Sequence, residues 1–343
     1  MIVTQIVRRF GRVGGMERYV WELVRELLNR NVRIRIICQD YIDELPGLNP
    51  EDIFFVGASA PRPRWRAMWT FRQSVSRLVS QSNTDFGIIH SHERSLVHQI
   101  TTIHGPLVGP LSHMNLLSVL SRRMRRWSLM ENEEVCSERV QAVCSVSNAS
   151  LRQLSAYYPA ASLVHEPVWP GINLWSSHDM TVNRGRILFV GTEWKRKGLE
   201  LAVRIIARAR RISGLNLTLT IIGPDFREIP SWISRLIWVT PRGPADPDYE
   251  NHDVLIHPAK IEPFGMVVSE ARRDGLSCLI SDRVGAADLE FQQTLTYRLD
   301  DSIDEWADGL IQLCGLITRT TEVRWTWGDL AERYLRIYEG LDV

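Results

Sequence analysis

The sequence predicts an α/β protein built of two doubly wound, Rossmann-like domains facing across a cleft. Three observations carry this. Short apolar runs alternate with amphipathic segments of helix length in both halves of the chain. The alternation starts afresh at Arg186, after a stretch holding Pro159, Pro167, Pro170 and Gly171. Glycine-rich or basic loops follow several strands, at the carboxyl ends where such sheets hold ligands. The boundaries read as a first domain over 1–168, a linker over 169–185, a second domain over 186–325, and a closing helix over 326–343 that can cross back to the first domain.

Taken in order, Ile2–Val7 reads as a buried strand. Gly14 and Gly15 follow, then a helix whose Tyr19, Val20, Leu23, Val24, Leu27 and Leu28 form one apolar stripe. Asn29–Asn31 ends it and Val32–Cys38 is the next strand. Further strands read at Phe86–His90, Gln99–Ile103 and Ala142–Val146, and Ser147-Asn148-Ala149-Ser150 is a helix-capping signal. In the second half, strand Arg186–Val190 leads into the basic loop Gly191–Gly198 and helix Leu199–Ile212. Strand Leu217–Ile222 ends at Gly223-Pro224. Strands Asp253–His257 and Ser277–Ser281 flank a glutamate-bearing segment, and Leu330–Leu341 is an amphipathic helix.

Length and composition fit this. The 343 residues are enough for two ordinary domains, and 44% hydrophobic with 24% charged residues is usual for a globular protein. No apolar run is long enough to span a bilayer. The first residues are not a signal peptide, because charge follows the short apolar run instead of preceding it. Cys38, Cys136, Cys144, Cys278 and Cys314 are odd in number and lack CxxC spacing, as expected of reduced thiols in a cytoplasmic protein.

The net charge of +1 hides an asymmetry: +5 over 1–168 against −4 in the rest. Two segments, Arg62–Arg72 and Arg122–Trp127, mix arginine with tryptophan. Such a mix suits an anionic membrane surface, with peripheral attachment at the inner face of the cytoplasmic membrane. It equally describes a solvated helix face carrying one core tryptophan. Nothing points to nucleic acid.

The most informative segment is Glu262-Pro263-Phe264-Gly265-Met266-Val267-Val268-Ser269-Glu270. Glu262 falls in the loop after a strand, and a helix can start just beyond it. The free N–H groups of a helix start favour an anion. Ionised carboxylates accept hydrogen bonds and suit diols. A ligand with both phosphates and hydroxyls, such as a sugar nucleotide, satisfies both. Either glutamate alone could instead be an exposed helix-end residue. Lys195, Arg196 and Lys197, between a strand and a helix, would neutralise a departing diphosphate; the other reading is a solvated basic turn. The spacing Gly11-x-x-Gly14-Gly15 is not the G-x-G-x-x-G of dehydrogenases, so Asp40 is not read as a ribose-binding acid. Asp246-x-Asp248 sits in a Pro/Gly-rich loop and is read as a loop, not a metal site. His90, His92 and Glu93 close a strand, and an acceptor-side or structural role is favoured over a metal.

In this order the motifs resemble those of the GT-B-fold, retaining glycosyltransferases of family 4. Gly14-Gly15-Met16-Glu17-Arg18 resembles the family's N-terminal glycine loop, Thr102-Ile103-His104-Gly105 its Thr-x-His motif, and Cys144-Ser145-Val146-Ser147 its Val-Ser element. Val190-Gly191 through Lys197-Gly198 resembles the donor phosphate loop, and Glu262 to Glu270 the E-x7-E signature. The resemblance implies His104, Lys197 and Glu262 as catalytic residues. It implies donor contacts from Gly14, Gly15, Lys195, Phe264, Gly265, Met266, Val267 and Glu270, the last on the ribose. Thr192 stands where the family usually has arginine, and Lys195 is the candidate to replace that cation. Lys195-Arg196-Lys197-Gly198 and Val284-Gly285-Ala286-Ala287 resemble the lipopolysaccharide-core glucosyltransferases, although the latter lacks the paired glycine of many relatives. The resemblance thus implies hexose transfer, with UDP-glucose ahead of GDP-mannose and UDP-N-acetylglucosamine. The acceptor would be a glycan or glycolipid of the cell envelope, such as lipopolysaccharide core or O-antigen. Neither a metal nor a cofactor is implied beyond the nucleotide-sugar donor as co-substrate. A nucleotide-sugar epimerase or hydrolase, and a non-catalytic binding protein of the same fold, are the alternatives.

Overall fold

The computed structural model describes residues 1–57, 63–114, 119–174, 185–223, 227–316 and 320–341. Arg62, residues 175–184 of the expected linker and Pro224 lie outside the described residues. The chain divides into two compact units. Unit 1 is Met1–Gly171 with Trp327–Val343, and unit 2 is Ile172–Thr326.

Unit 1 carries β1 (Ile2–Ile6), β2 (Arg9–Phe10), α1 (Gly15–Asn29), β3 (Arg33–Cys38), β4 (Asp40–Tyr41), β5 (Ile53–Phe55), α2 (Arg64–Gln81), β6 (Ile88–Ser91), β7 (Ile100–Ile103), α3 (Arg122–Cys136), β8 (Ala142–Ser145) and α4 (Asn148–Tyr157). Its main sheet has the order β5-β3-β1-β6-β7-β8, all parallel. Parallel strands covered on both faces should be apolar throughout. Accordingly, Val3, Ile6, Ile36 and Ile37 are fully buried. Helix α1 buries the predicted stripe from Tyr19 to Leu27. It ends where Asn31 takes a positive φ of 59°, which asparagine tolerates better than most residues. Ser147 caps α4 by accepting from the Ser150 N–H.

Unit 2 carries β9 (Arg186–Val190), α5 (Leu199–Ser213), β10 (Thr218–Ile222), α6 (Ser231–Ser234), β11 (Val239–Gly243), β12 (Val254–His257), α7 (Met266–Arg273), β13 (Ser277–Ser281), β14 (Thr294–Tyr297) and α8 (Ile303–Cys314). Its parallel sheet runs β11-β10-β9-β12-β13-β14. Ile187, Phe189, Val203, Ile206, Ile256, Trp306 and Leu310 join sheet, α5 and α8 in one core. Helix α9 (Trp327–Glu339) then returns to unit 1 and packs on α1 through Tyr19, Trp327 and Tyr334.

Both sheets follow the same doubly wound order. Each has its switch point between its first and fourth main strands, β1/β6 in unit 1 and β9/β12 in unit 2. Ligands in open α/β sheets bind outside the carboxyl ends at this point. The loops after these four strands are therefore the place to look for chemistry.

Candidate active site

In unit 2, β9 and β12 deliver a cluster of charge. Gly191 ends β9 with φ +145°, and a Cβ there would fall on the Lys197 side-chain stem. Gly198, at φ +80°, starts α5 against the Pro258 carbonyl, which leaves no room for any Cβ. The Lys260 N–H donates to the Arg196 carbonyl at 2.8 Å and ties the two loops together. On the other side, the Glu262 N–H donates to Arg283 O at 3.0 Å, and the Ala286 N–H donates to Phe264 O at 2.7 Å.

Held this way, Glu262 Oε2 lies 3.2 Å from Arg196 Nη1, 3.3 Å from Lys197 Nζ and 3.4 Å from His257 Nε2. Burial pushes the Glu262 carboxyl up, but contact with His257 and the charges of Lys197 and Arg196 prevail and hold it at about 2. The fully buried His257 ring is pushed down by burial, against the pull of Glu262. Arg196 Nη2 also pairs with Glu193 Oε2 at 2.7 Å, so the two cations share two carboxylates, and among the described residues Lys197 has Glu262 alone.

Phe264 is buried, and Gly265 caps α7 with φ +92°. Helix α7 then opens with Met266 and Val267, whose N–H groups precede the first intrahelical acceptors. Glu270, one turn further on, is buried, and its Oε2 accepts from the Tyr249 hydroxyl at 2.6 Å. Lys195 is placed differently. Its ammonium lies over the Trp194 ring at 5.2 Å and lines a groove with Arg204, Trp232 and Lys260. Arg196, not Lys195, is the second cation at Glu262.

In unit 1, Gly14 and Gly15 lie at the start of α1, and Gly15 faces open space. His104 follows β7 and is half-buried. It is not a lone histidine. Its Nε2 is 2.8 Å from His92 Nδ1, and its ring meets Tyr19 edge-on at 4.7 Å. His92 Nε2 is 2.8 Å from Gln5 Oε1, and His90 bridges Tyr338 and Thr102 at 2.8 Å each. Burial depresses all three rings, His104 to about 3. Burial pushes the Glu93 carboxyl up to about 7, against the pull of Arg8. Among the described residues no group of three or more His, Cys, Asp or Glu is placed to hold a metal ion. Asp248 instead accepts from Asn251 at 2.8 Å.

Sequence reasoning missed His257, Tyr249, Gln5, Tyr334 and Tyr338. His257 had a signal, since it ends the strand leading into Glu262. The others come from distant segments and had none.

From Arg64 and from Arg122 onward, the two Arg/Trp segments lie in helices α2 and α3. Arg72 is buried and paired with Glu133 at 2.7 Å, so it is closed to an outside partner. Trp65, Trp69 and Trp127 pack against the unit 1 core. Arg64, Arg66, Arg122, Arg123, Arg125 and Arg126 are exposed. Among the described residues no helix is long and apolar enough to cross a membrane.

Two family models match the chain, "Glycosyltransferase Family 4" over residues 13–174 and "Glycosyl transferases group 1" over residues 184–315. No curated protein matches. Among solved structures, the chain is similar to WaaG, a glycosyltransferase involved in lipopolysaccharide biosynthesis, with TM-score 0.74, 16% identity and coverage of 99% of this chain and 96% of that one. It is similar to sucrose-phosphate synthase from Thermosynechococcus elongatus, with TM-score 0.72, 17% identity and 98% coverage of both chains. It is also similar to Anabaena HepE in complex with UDP and glucose, with TM-score 0.69, 14% identity and coverage of 99% and 100%.

Proposed function

Since the chain belongs to the GT-B glycosyltransferases of family 4, we propose that it moves a hexose from a nucleotide sugar to an acceptor hydroxyl, with retention at the anomeric carbon and without a metal ion. UDP-glucose is the proposed donor. The proposed acceptor is a glycan or glycolipid of the cell envelope, such as lipopolysaccharide core or O-antigen, met on the cytoplasmic side. The exposed arginines of α2 and α3 would hold the enzyme to the anionic membrane surface.

The observation that carries this reading is the Glu262 cluster. Lys197 and Arg196 stand at the β9/β12 switch point on either side of Glu262, which is close in sequence to the start of α7. As the bond from the anomeric carbon to phosphate breaks, negative charge grows on the leaving diphosphate. Lys197, Arg196 and the first N–H groups of α7 would stabilise it there. The acceptor oxygen bonds to the anomeric carbon on the face the phosphate leaves, and its proton passes to the departing phosphate oxygen. Glu262 would hold the cations in place and face the sugar. Glu270, oriented by Tyr249, would bind the ribose diol. Catalysis then rests on positioning and on electrostatics.

The test is nucleotide release from a panel of nucleotide sugars, with Glu270→Ala as control. Slow release from one donor, lost in the variant, identifies the donor and supports the pocket. No release and no binding of any nucleotide sugar would sink this reading.

A further inference from the structure

The buried polar groups of unit 1 form one hydrogen-bond chain, and its direction can be read because one end is fixed. A carbonyl can only accept, so the Tyr19 hydroxyl, 3.1 Å from the Val168 carbonyl, spends its single proton there. The Tyr334 hydroxyl, 2.9 Å from Tyr19, must then be the donor of that pair. By the same count the Thr102 hydroxyl donates to Tyr334 at 2.6 Å. With that proton used, His90 Nε2 carries the hydrogen in its 2.8 Å contact with Thr102 Oγ1.

A neutral imidazole has one donor and one acceptor nitrogen. His90 Nδ1 therefore accepts from the Tyr338 hydroxyl at 2.8 Å. The Tyr338 oxygen accepts from Gln5 Nε2 at 3.1 Å, which turns the amide carbonyl of Gln5 toward His92. Gln5 Oε1 accepts from His92 Nε2 at 2.8 Å, leaving His92 Nδ1 to accept from His104 Nε2 at 2.8 Å. Each link follows from the one before. The chain ends at His104 Nδ1, a lone pair with no partner among the described residues. Burial keeps the three rings neutral, as the count requires.

We propose that this chain fixes His104 as its Nε2–H tautomer and makes Nδ1 a hydrogen-bond acceptor for a hydroxyl of the bound sugar, with Gln5 and Tyr338 as positioning residues. His104 then serves neither as a cation nor as a proton donor at Nδ1. Naming a sugar as the ligand rests on the transferase reading above. The tautomer does not.

The experiment has two arms, both on the full chain. Long-range ¹⁵N–¹H spectra at neutral pH, assigned with single histidine variants, read the ring states of the free protein. The expected result is the Nε2–H tautomer for His90, His92 and His104. An Nδ1–H tautomer or an imidazolium at His104 overturns the proposal. In the second arm, UDP and UDP-glucose are titrated against wild type, Gln5→Leu and Tyr338→Phe, the last standing in if Gln5→Leu fails to fold. The proposal expects mixed His104 tautomers in the variant and UDP-glucose binding weakened about twofold, the share of the accepting tautomer in an even mixture, with UDP binding unchanged. Equal weakening of both ligands overturns the acceptor role. If wild type binds UDP but no sugar nucleotide, the transferase reading falls and the sugar falls with it. The spectrum still decides the tautomer.

Discussion

The Lys197 ammonium and the Glu262 carboxylate meet at 3.3 Å, from loops that follow β9 and β12. Their pairing makes the cluster sensitive to acid. The folded-state value of Glu262 lies at about 2, below its ordinary 4.5. A carboxyl depressed by folding adds stability above its unfolded value and loses it as pH falls through the folded one. Glu262→Gln should therefore cost about 3 kcal/mol at neutral pH. Urea titrations should show that difference intact above pH 4.5 and vanishing toward pH 2.

Gly191→Ala should act on Lys197 from behind. The new methyl group takes the space of the lysine stem at a φ where side chains are strained. Lys197 then leaves Glu262, and a charge-assisted hydrogen bond to the donor is lost. Donor affinity measured by calorimetry should fall roughly ten- to hundredfold.

Tyr249→Phe should loosen Glu270 without removing it. One 2.6 Å hydrogen bond disappears while the carboxylate remains. Nucleotide affinity should weaken about two- to tenfold, less than in Glu270→Ala. An effect equal to that of Glu270→Ala would mean that Tyr249 does more than orient.

His98 gives a separate pH signature. Burial holds its ring down to about 4, from an ordinary 6.5. The unfolded chain takes up a proton near pH 6.5 and the folded one does not, so stability is full above 6.5 and declines as pH falls to 4. His98→Gln should flatten the stability profile in that window by about 1.4 kcal/mol per pH unit. Denaturant midpoints from pH 7 to 4 would read it.

Replacing Arg122, Arg123, Arg125 and Arg126 with serine should weaken binding to anionic vesicles by about a hundredfold or more, at about 1 kcal/mol per cation. Co-sedimentation unchanged by the four replacements would remove α3 from any membrane-facing role.

Much of this was legible in the sequence. Parallel strands buried on both faces announce themselves as apolar runs, and the two glutamates and the basic loop fell where strand ends put them. What escaped was set by phase or distance. Arg72 looked like one more surface arginine, yet Met68, Phe71 and Val75 beside it already mark the inward face of α2. Lys195 and Arg196 are neighbours, and only the turn of the loop decides which one reaches Glu262. Tyr249, Tyr334 and Tyr338 meet their partners across long stretches of chain, where no local pattern records the encounter.

The return of α9 to unit 1 has a consequence for how the molecule is made. Unit 2 lies between the two parts of unit 1, so a growing chain completes it before Tyr334 and Tyr338 exist. Domains tend to fold as units during synthesis, and unit 2 can do so early. Unit 1 cannot, because His90, Thr102 and Gln5 keep unsatisfied polar groups until α9 arrives. The half that sets His104 is thus finished only after α9 has been made, and a chain cut short before Trp327 would be released with its second unit formed and its first unfinished.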